Sequence, residues 1–396
     1  PRIEKPAYNF PIPPQHVKKY NVILITIDAI SPDRLPMYGY KRLTAPFLKH
    51  FSEKSLFFPL AFSQGPSTRL SFPSIFTSRY DSQISTAKET KIPTELLHDN
   101  LFLAEILKRE GYRTAAVLPI SYFSDWRGLL AGCEEIVKDP IKSHKAPVFH
   151  NANEVTEAAK KVLKKNDGRP LFLWVHYYDP HSPFTLPPEI KPFGNGIEDI
   201  YDTEILYTDN AVGDFVNAAR TDLNQDDTII IISGDHGEAF DTNHKQKHHG
   251  FDLHTNVLHI PLMIKAPFAE PSRVEMPVSL MDIVPTIVNV LNIKGDFDFE
   301  GRSLVPQMFD PGKIDDRLIF HQFYLPEYVA QKKKPLQMIS VRNHTFNFIH
   351  NLTNNTFQLY DYRRDANETE NLYEKMPELS RMFSDKLSLW LAEISK

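Results

Sequence analysis

Four apolar runs rich in β-branched residues stand out along the chain: NVILITI ahead of Asp28, RTAAVL from Arg113, PLFLWVH ending at His176, and TIIIISG leading to Asp235. None alternates apolar with polar positions, as a strand with one wet face would, so each is expected as a strand buried on both faces of a parallel sheet. Between them, LFLAEILKREG, ANEVTEAAKKVLKKNDG and EILYTDNAVGDFVNAAR space their apolar residues at helical intervals. Gly111 stands where the first of these helices needs a C-cap. Strands alternating with helices predict an α/β fold, here an α/β/α sandwich with a large, mostly parallel central sheet.

After about residue 310 the pattern changes. LIFHQF, QMISVR, TFNFIH and TFQLYDY follow one another closely, which predicts a small antiparallel sheet, and the amphipathic MPELSRMFSDKLSLWLAEI closes the chain as a helix. The expected organisation is therefore an irregular arm over 1–20, an α/β catalytic domain over 21–310, and a C-terminal subdomain with a small antiparallel sheet over 311–396.

Composition narrows the function without naming it. With 396 residues, 41% hydrophobic and 24% charged, the chain is long enough for a sizeable core. A formal net charge of −5 argues against nucleic acid as a partner, which needs a basic face. No apolar run reaches the roughly 20 residues of a membrane-spanning helix. The opening PRIEKPAYNFPIPPQH is polar and proline-rich, unlike a signal peptide, so any export signal or membrane anchor is expected upstream of Pro1. The single cysteine, Cys133, excludes a disulfide within the chain.

The candidate chemistry sits at strand ends. Asp28 follows the first strand, and Asp235 with His236 follows the fourth; in open α/β sheets, such carboxyl ends converge on one crevice. Two carboxylates and an imidazole suit a divalent cation. For Asp28 taken singly, a helix N-cap would be the plainer role. GPSTRLSFPSIFTSRY offers hydroxyls ahead of a predicted helix, where a neighbouring cation and helix N–H groups would favour attack on an anionic ester. VHYYDPHSPF carries His176, Asp179 and His181, and NHKQKHHGFDLH carries His244, His248, His249 and His254. Histidines can bind metal, donate to substrate oxygens or act as general acid; a solvated polar loop is the plainer role for His244 and His254, with packing the plain alternative for His254 and His259.

In their order, Asp28, the Thr/Ser-rich loop, DPHSPF, SGDHGE and HHG resemble the sulfatase branch of the alkaline phosphatase superfamily. The likeness extends through IDAISPDRLPMYGY, VLHIPLMIKAP, VSLMDIVPTIVNVLNI, FEGRSL and LYDYRRDANETENLY, and so covers most of the chain. It implies that Asp28, Asp235, His236 and the nucleophile oxygen bind metal, that His181 and His249 serve the substrate oxyanion or the leaving group, and that His176 and His248 contact substrate. Asp33 fits the opening motif in a structural role. Sulfatases of the family use Cys or Ser in C/S-x-P-S-R, oxidised to formylglycine; here Ser71-Phe72-Pro73-Ser74-Ile75 lacks the arginine. Thr68-Arg69-Leu70-Ser71-Phe72-Pro73 is similar to the T-x-x-S-x-P of phosphoethanolamine transferases. Thr68 is accordingly the expected nucleophile, with Ser71 close to the substrate.

The resemblance implies a metal-dependent hydrolase or transferase of phosphate or phosphonate esters on a small molecule or on a lipid or glycan headgroup. One divalent ion is expected, Zn²⁺ or Mn²⁺ before Ca²⁺ or Mg²⁺, with room for a second. Two alternatives stand beside it: a sulfatase using Ser71, and a non-catalytic binding domain of the same fold. Relatives imply an extracytoplasmic location. The oligomeric state is not legible.

Overall fold

The structure, a computed structural model, describes residues 8–86, 99–119, 128–138, 151–187, 190–240, 248–325 and 335–394. Nine strands form the main sheet: β1 Asn21–Ile27, β2 Leu56–Phe62, β3 Arg113–Leu118, β4 Glu135–Lys138, β5 Leu171–Tyr177, β6 Thr228–Gly234, β7 His259–Lys265, β8 Ser272–Arg273 and β9 Val278–Ser279. Their order is β4-β3-β5-β1-β6-β7-β2-β8, with β9 also on β2. The four runs singled out in the sequence are β1, β3, β5 and β6, side by side and parallel. β7 runs antiparallel to both β6 and β2, which makes the sheet mixed on that side. β4, β7, β8 and β9 lie outside those four runs, and so does β2. Its LFFPLAF run holds Pro59, where the register with β7 slips between Phe58 and Ala61. A proline cannot donate to the ladder, and a bulge accommodates it.

Helices cover both faces: α1 Pro46–Ser52, α2 Thr68–Thr77, α3 Leu103–Arg109, α4 Ala152–Leu163, α5 Ile197–Asp222, α6 Thr255–Leu258, α7 Ile283–Val290 and α8 Val305–Phe309. Because successive strand residues point to opposite faces, β1 divides its side chains between two cores. Val22 and Leu24 pack with α2, α3 and α7, and Ile23, Ile25 and Ile27 pack with α1, α4 and α5. That division explains why the run is apolar throughout. Gly111 has φ +84°, the left-handed cap that its position after α3 predicts.

A second sheet, antiparallel and four-stranded, is built from β10 Ile319–Leu325, β11 Leu336–Arg342, β12 Phe346–Asn351 and β13 Thr356–Asp361. One face (Val341, Phe348, Leu359) packs on the closing helix α9, Pro377–Ile394, through Phe383, Leu387 and Trp390. The other face (Phe323, Met338, Ile349) packs on Leu70 of α2 and on Leu253, Val257 and Leu258 around α6. The small sheet thus leans on the segment that follows β6. Among the described residues, no helix is long and apolar enough to cross a membrane.

Candidate active site

The parallel register of β1 and β6 ends at Ile27 beside Gly234, so the next residues, Asp28 and Asp235, emerge together although 207 positions apart. The ladder continues into them: Asp28 N–H donates to Tyr177 O (2.9 Å) and Asp235 N–H to Ile27 O (3.3 Å). Asp235 Oδ1 accepts from Ala29 N–H (3.2 Å) and His236 N–H (2.9 Å). Asp28 Oδ1 and Asp235 Oδ2 are buried and accept no hydrogen bond among the described residues. His236 Nδ1–H donates to Gly237 O (2.9 Å), which leaves Nε2 facing Asp28 Oδ1 at 3.3 Å and Asp235 Oδ2 at 3.6 Å.

Ligand atoms of Asp28, Asp235 and His236 lie within 4.8 Å of one another, the one such cluster among the described residues. Its electrostatics are those of a site built around positive charge. Burial alone would raise Asp28, yet the imidazoles of His181, His176 and His236 hold it well below the usual carboxylate range. Burial and the Asp28 charge push Asp235 up. Burial disfavours charge on His236, but the two carboxylates outweigh it and push the imidazole up to about 9. Buried carboxylate oxygens without donors are costly. A divalent cation would satisfy both and would take the Nε2 lone pair of an imidazole whose other nitrogen is already anchored on a carbonyl. The residues therefore fit the metal.

Thr68 is the first residue of α2, placed by the turn that follows β2. It is buried, and its Oγ1 lies 3.1 Å from His236 Nε2. Ser71, one turn on, is also buried, but its hydroxyl donates back to Thr68 O at 3.3 Å. The structure thus brings the Thr68 hydroxyl to the cluster and engages that of Ser71 within the helix.

His176 lies on β5 opposite Thr26 of β1. Trp174 Nε1–H donates to Thr26 Oγ1, which lies 2.9 Å from His176 Nδ1, and His176 Nε2 is 3.4 Å from Asp28 Oδ2. Every group is served if Thr26 O–H donates to Nδ1 and the imidazole proton sits on Nε2. The His249 ring lies tilted 4.3 Å from that of His236 and edge-on 4.8 Å from that of His181. His181 Nδ1 lies 2.5 Å from Ser182 O. His248, at φ +71° and with a side chain 41% exposed, stands at the rim against Phe184. His244 lies outside the described residues. His254 is buried against Asp252 (3.2 Å), which sets aside the solvated loop expected for it in favour of packing, and His259 Nε2–H donates to Pro59 O (2.7 Å), also a packing role. Asp179 accepts from Asn151 N–H (3.2 Å) and belongs to no second ligand cluster among the described residues.

Glu238 escaped the reading of the sequence. Its carboxylate is buried, and Oε2 accepts from His249 Nδ1–H at 3.0 Å, which aims His249 Nε2 away from the acid. Burial and the His236 charge lower the His249 imidazole below its usual value, although Glu238 opposes them. The available signal was its place three residues after Asp235, in SGDHGE directly behind an apolar strand.

A mixed α/β sheet here carries an acidic, histidine-lined cluster at its strand ends and a hydroxyl at a helix N-terminus, the groups that a metal-assisted ester hydrolase would use. The sulfatase family profile matches residues 20–293, and the profile of the C-terminal part of N-sulphoglucosamine sulphohydrolase matches residues 247–393. The chain belongs to the sulfatase family and is a hydrolase of that family. It is 25% identical to an ulvan-active sulfatase of Formosa agariphila over 95% of this chain and 82% of that protein. It is 23% identical to an uncharacterized sulfatase of Escherichia coli over 67% of this chain and 59% of that protein. Among solved structures, one in complex with its substrate D-glucosamine-2-N,6-O-disulfate has a TM-score of 0.79 at 14% identity, covering 96% of this chain and 98% of that one. The phosphonate monoester hydrolase of Agrobacterium radiobacter has a TM-score of 0.76 at 18% identity, covering 95% and 96%.

Proposed function

We propose that the chain hydrolyses a sulfuric ester of a small molecule or glycan, with Thr68 as the nucleophile. Phosphate and phosphonate esters stood first in the sequence reading. The sulfuric ester takes precedence because a relative that matches over 95% of the chain is a sulfatase and the family is that of sulfatases. The nucleophile rests on one observation, the 3.1 Å approach of Thr68 Oγ1 to His236 Nε2 inside a cluster with two unused carboxylate oxygens.

Asp28, Asp235, His236 and Thr68 would hold one divalent ion, Zn²⁺ or Mn²⁺ before Ca²⁺ or Mg²⁺. When bound, the ion supplies charge neutralisation and keeps the threonine hydroxyl ionised. The chain's own residues do the rest. Thr68 Oγ bonds to sulfur as the bond from sulfur to the ester oxygen breaks, and His249 or His181 gives the departing oxygen its proton. Glu238 holds His249 Nδ1 and so presents Nε2 to that oxygen. Water then attacks the sulfur of the sulfated threonine, and Thr68 leaves. His248, at the rim, would contact a substrate oxygen; His176, fully buried with Nδ1 on Thr26 and Nε2 facing Asp28, would steady that carboxylate instead. We divide catalytic domain from C-terminal subdomain near residue 310, ahead of β10.

One observation favours a phosphorus ester as the second reading. Threonine carries a methyl group on Cβ where a formylglycine precursor has a second hydrogen, so it cannot give an aldehyde, and the second step must be attack by water rather than elimination from an aldehyde hydrate. A phosphothreonine offers that route equally well. The deciding measurement is turnover of 4-nitrophenyl sulfate, phosphate and phenylphosphonate by wild type and Thr68→Ala, each loaded with Zn²⁺, Mn²⁺, Ca²⁺ or Mg²⁺. Sulfate turnover lost in Thr68→Ala is the expected result. Turnover confined to the phosphorus esters selects the second reading, and sulfate turnover that survives the substitution moves the nucleophile off Thr68.

A further inference from the structure

The small C-terminal sheet grips the segment that carries His249, and it does so with buried charge. Glu368, just past β13, is 1% exposed and sits at φ +48°. Its Oε2 accepts from Thr255 N–H (2.8 Å), and its Oε1 accepts from Thr255 O–H (2.8 Å) and from Asn347 Nδ2–H (2.9 Å). Arg342 of β11 is fully buried, donates to Thr255 Oγ1 and to Leu253 O (3.2 Å each), and lies 4.3 Å over the Phe62 ring. Asn347 of β12 also donates to Leu253 O (3.2 Å). Three side chains of the small sheet's subdomain thus converge on two residues of another segment, Leu253 and Thr255.

Those residues lie between two parts of the site. Four residues before Leu253 is His249, tied to Glu238, and a Cβ on the next residue, Gly250, would lie 4.0 Å from Pro66 O and Ser67 Cβ, directly ahead of Thr68. Two residues after Thr255 is Val257, whose carbonyl accepts from Gly237 N–H (2.9 Å), next to His236. Burying an arginine and a glutamate is expensive, and apolar packing of equal volume stabilises a fold as well or better. Charge-assisted hydrogen bonds add direction, which apolar contacts lack.

We propose that Glu368 is a positioning residue for the leaving-group step: by clamping Leu253–Thr255 it fixes the turn that presents His249 Nε2 to the departing oxygen. This rests on the reading of His249 as a proton donor. A displacement of about 1 Å at such a group costs up to about a hundredfold in rate. The cost falls on the step in which the proton moves, so esters with poor leaving groups suffer more than activated ones.

The test compares wild type, Glu368→Ala, Glu368→Gln, His249→Ala and the Glu368→Ala/His249→Ala double variant. Each is assayed on the 4-nitrophenyl ester that the wild type turns over and on the matching phenyl ester. Hydrogen exchange of the metal-loaded proteins is followed in parallel. In Glu368→Ala, exchange should rise over residues 248–258 while β1 and β6 stay protected. The phenyl ester should slow about 10-fold more than the 4-nitrophenyl ester. Glu368→Gln, which keeps one acceptor oxygen, should recover part of both effects, and the double variant should be no slower than His249→Ala. Unchanged exchange over 248–258, or equal slowing of both esters, overturns the proposal; where the alanine variant unfolds, Glu368→Gln alone decides by the same two readouts. If instead His249→Ala leaves the ratio of the two esters as in wild type, the reading of His249 itself fails, and the positioning role falls with it.

Discussion

Gly237→Ala tests the packing behind the metal-ligand pair. Gly237 follows His236, and its φ is not in the left-handed region, so alanine meets no backbone strain there. Space is the obstacle: a Cβ would fall 2.3 Å from Asn256 O, a backbone atom, and 3.3 Å from His259 O. Ordinary contact begins at 3.4 Å, so one side must retreat by 3.4 − 2.3 = 1.1 Å. The Asn256 side is α6, held by Glu368 and Arg342 through Thr255; the Gly237 side carries His236. Overpacking of this kind costs about 1–3 kcal/mol, and a shift of about 1 Å at the site lowers kcat by up to about a hundredfold. Chemical denaturation gives the first quantity and steady-state turnover the second. Gly168→Ala is the control: at φ +84° with nothing within 4 Å, it should cost about 1 kcal/mol through backbone strain alone and leave kcat intact. A Gly237→Ala protein as stable and active as wild type would refute the close approach of α6 to the His236 turn.

Other outcomes follow from the same geometry. A free divalent ion at 100 times its Kd should stabilise the protein by about 2.7 kcal/mol. For a chain of 396 residues unfolding as one unit, that raises Tm by about 3 °C. Asp28→Asn and Asp235→Asn should abolish the rise, which differential scanning calorimetry with and without chelator will read. Thr68→Ser keeps the oxygen and should stay within about tenfold of wild type in kcat, whereas Thr68→Ala should lose about a thousandfold or more. His321 is fully buried, donates Nδ1–H to Ser63 O (2.8 Å), and is kept neutral by burial and by Arg342, its imidazole well below the usual range. In the unfolded chain it takes a proton near pH 6.5, so stability is lost as pH falls below that value, at up to about 1.4 kcal/mol per pH unit. Urea denaturation of His321→Gln between pH 7 and 5 should show a correspondingly shallower loss; identical slopes would place the acid sensitivity elsewhere.

The central strands were legible because burial on both faces leaves an unbroken apolar run, and β1, β3, β5 and β6 all carry one. β2 was not, because Pro59 interrupts its pattern and the bulge that accommodates it is a tertiary event. Asp28, Asp235 and His236 could be found in the sequence because each ends such a run. The convergence of those ends follows from the register of β1 and β6, which a single chain does not display. Thr68 and Ser71 could be separated only by direction, one hydroxyl turned to His236 and the other to its own helix. Glu368 and Arg342 look in the sequence like ordinary surface charges, and nothing in their neighbours announces that the small sheet buries them.

The place of β1 has a kinetic consequence. It precedes both of its partners, β5 and β6, which begin at Leu171 and Thr228, so the most central strand waits for about two-fifths of the chain before either edge can pair. Until then an apolar run with two open edges is exposed, the situation that slows folding of non-local sheets and invites aggregation. Newly made chains truncated before Thr228 should therefore be held by chaperones rather than fold in part.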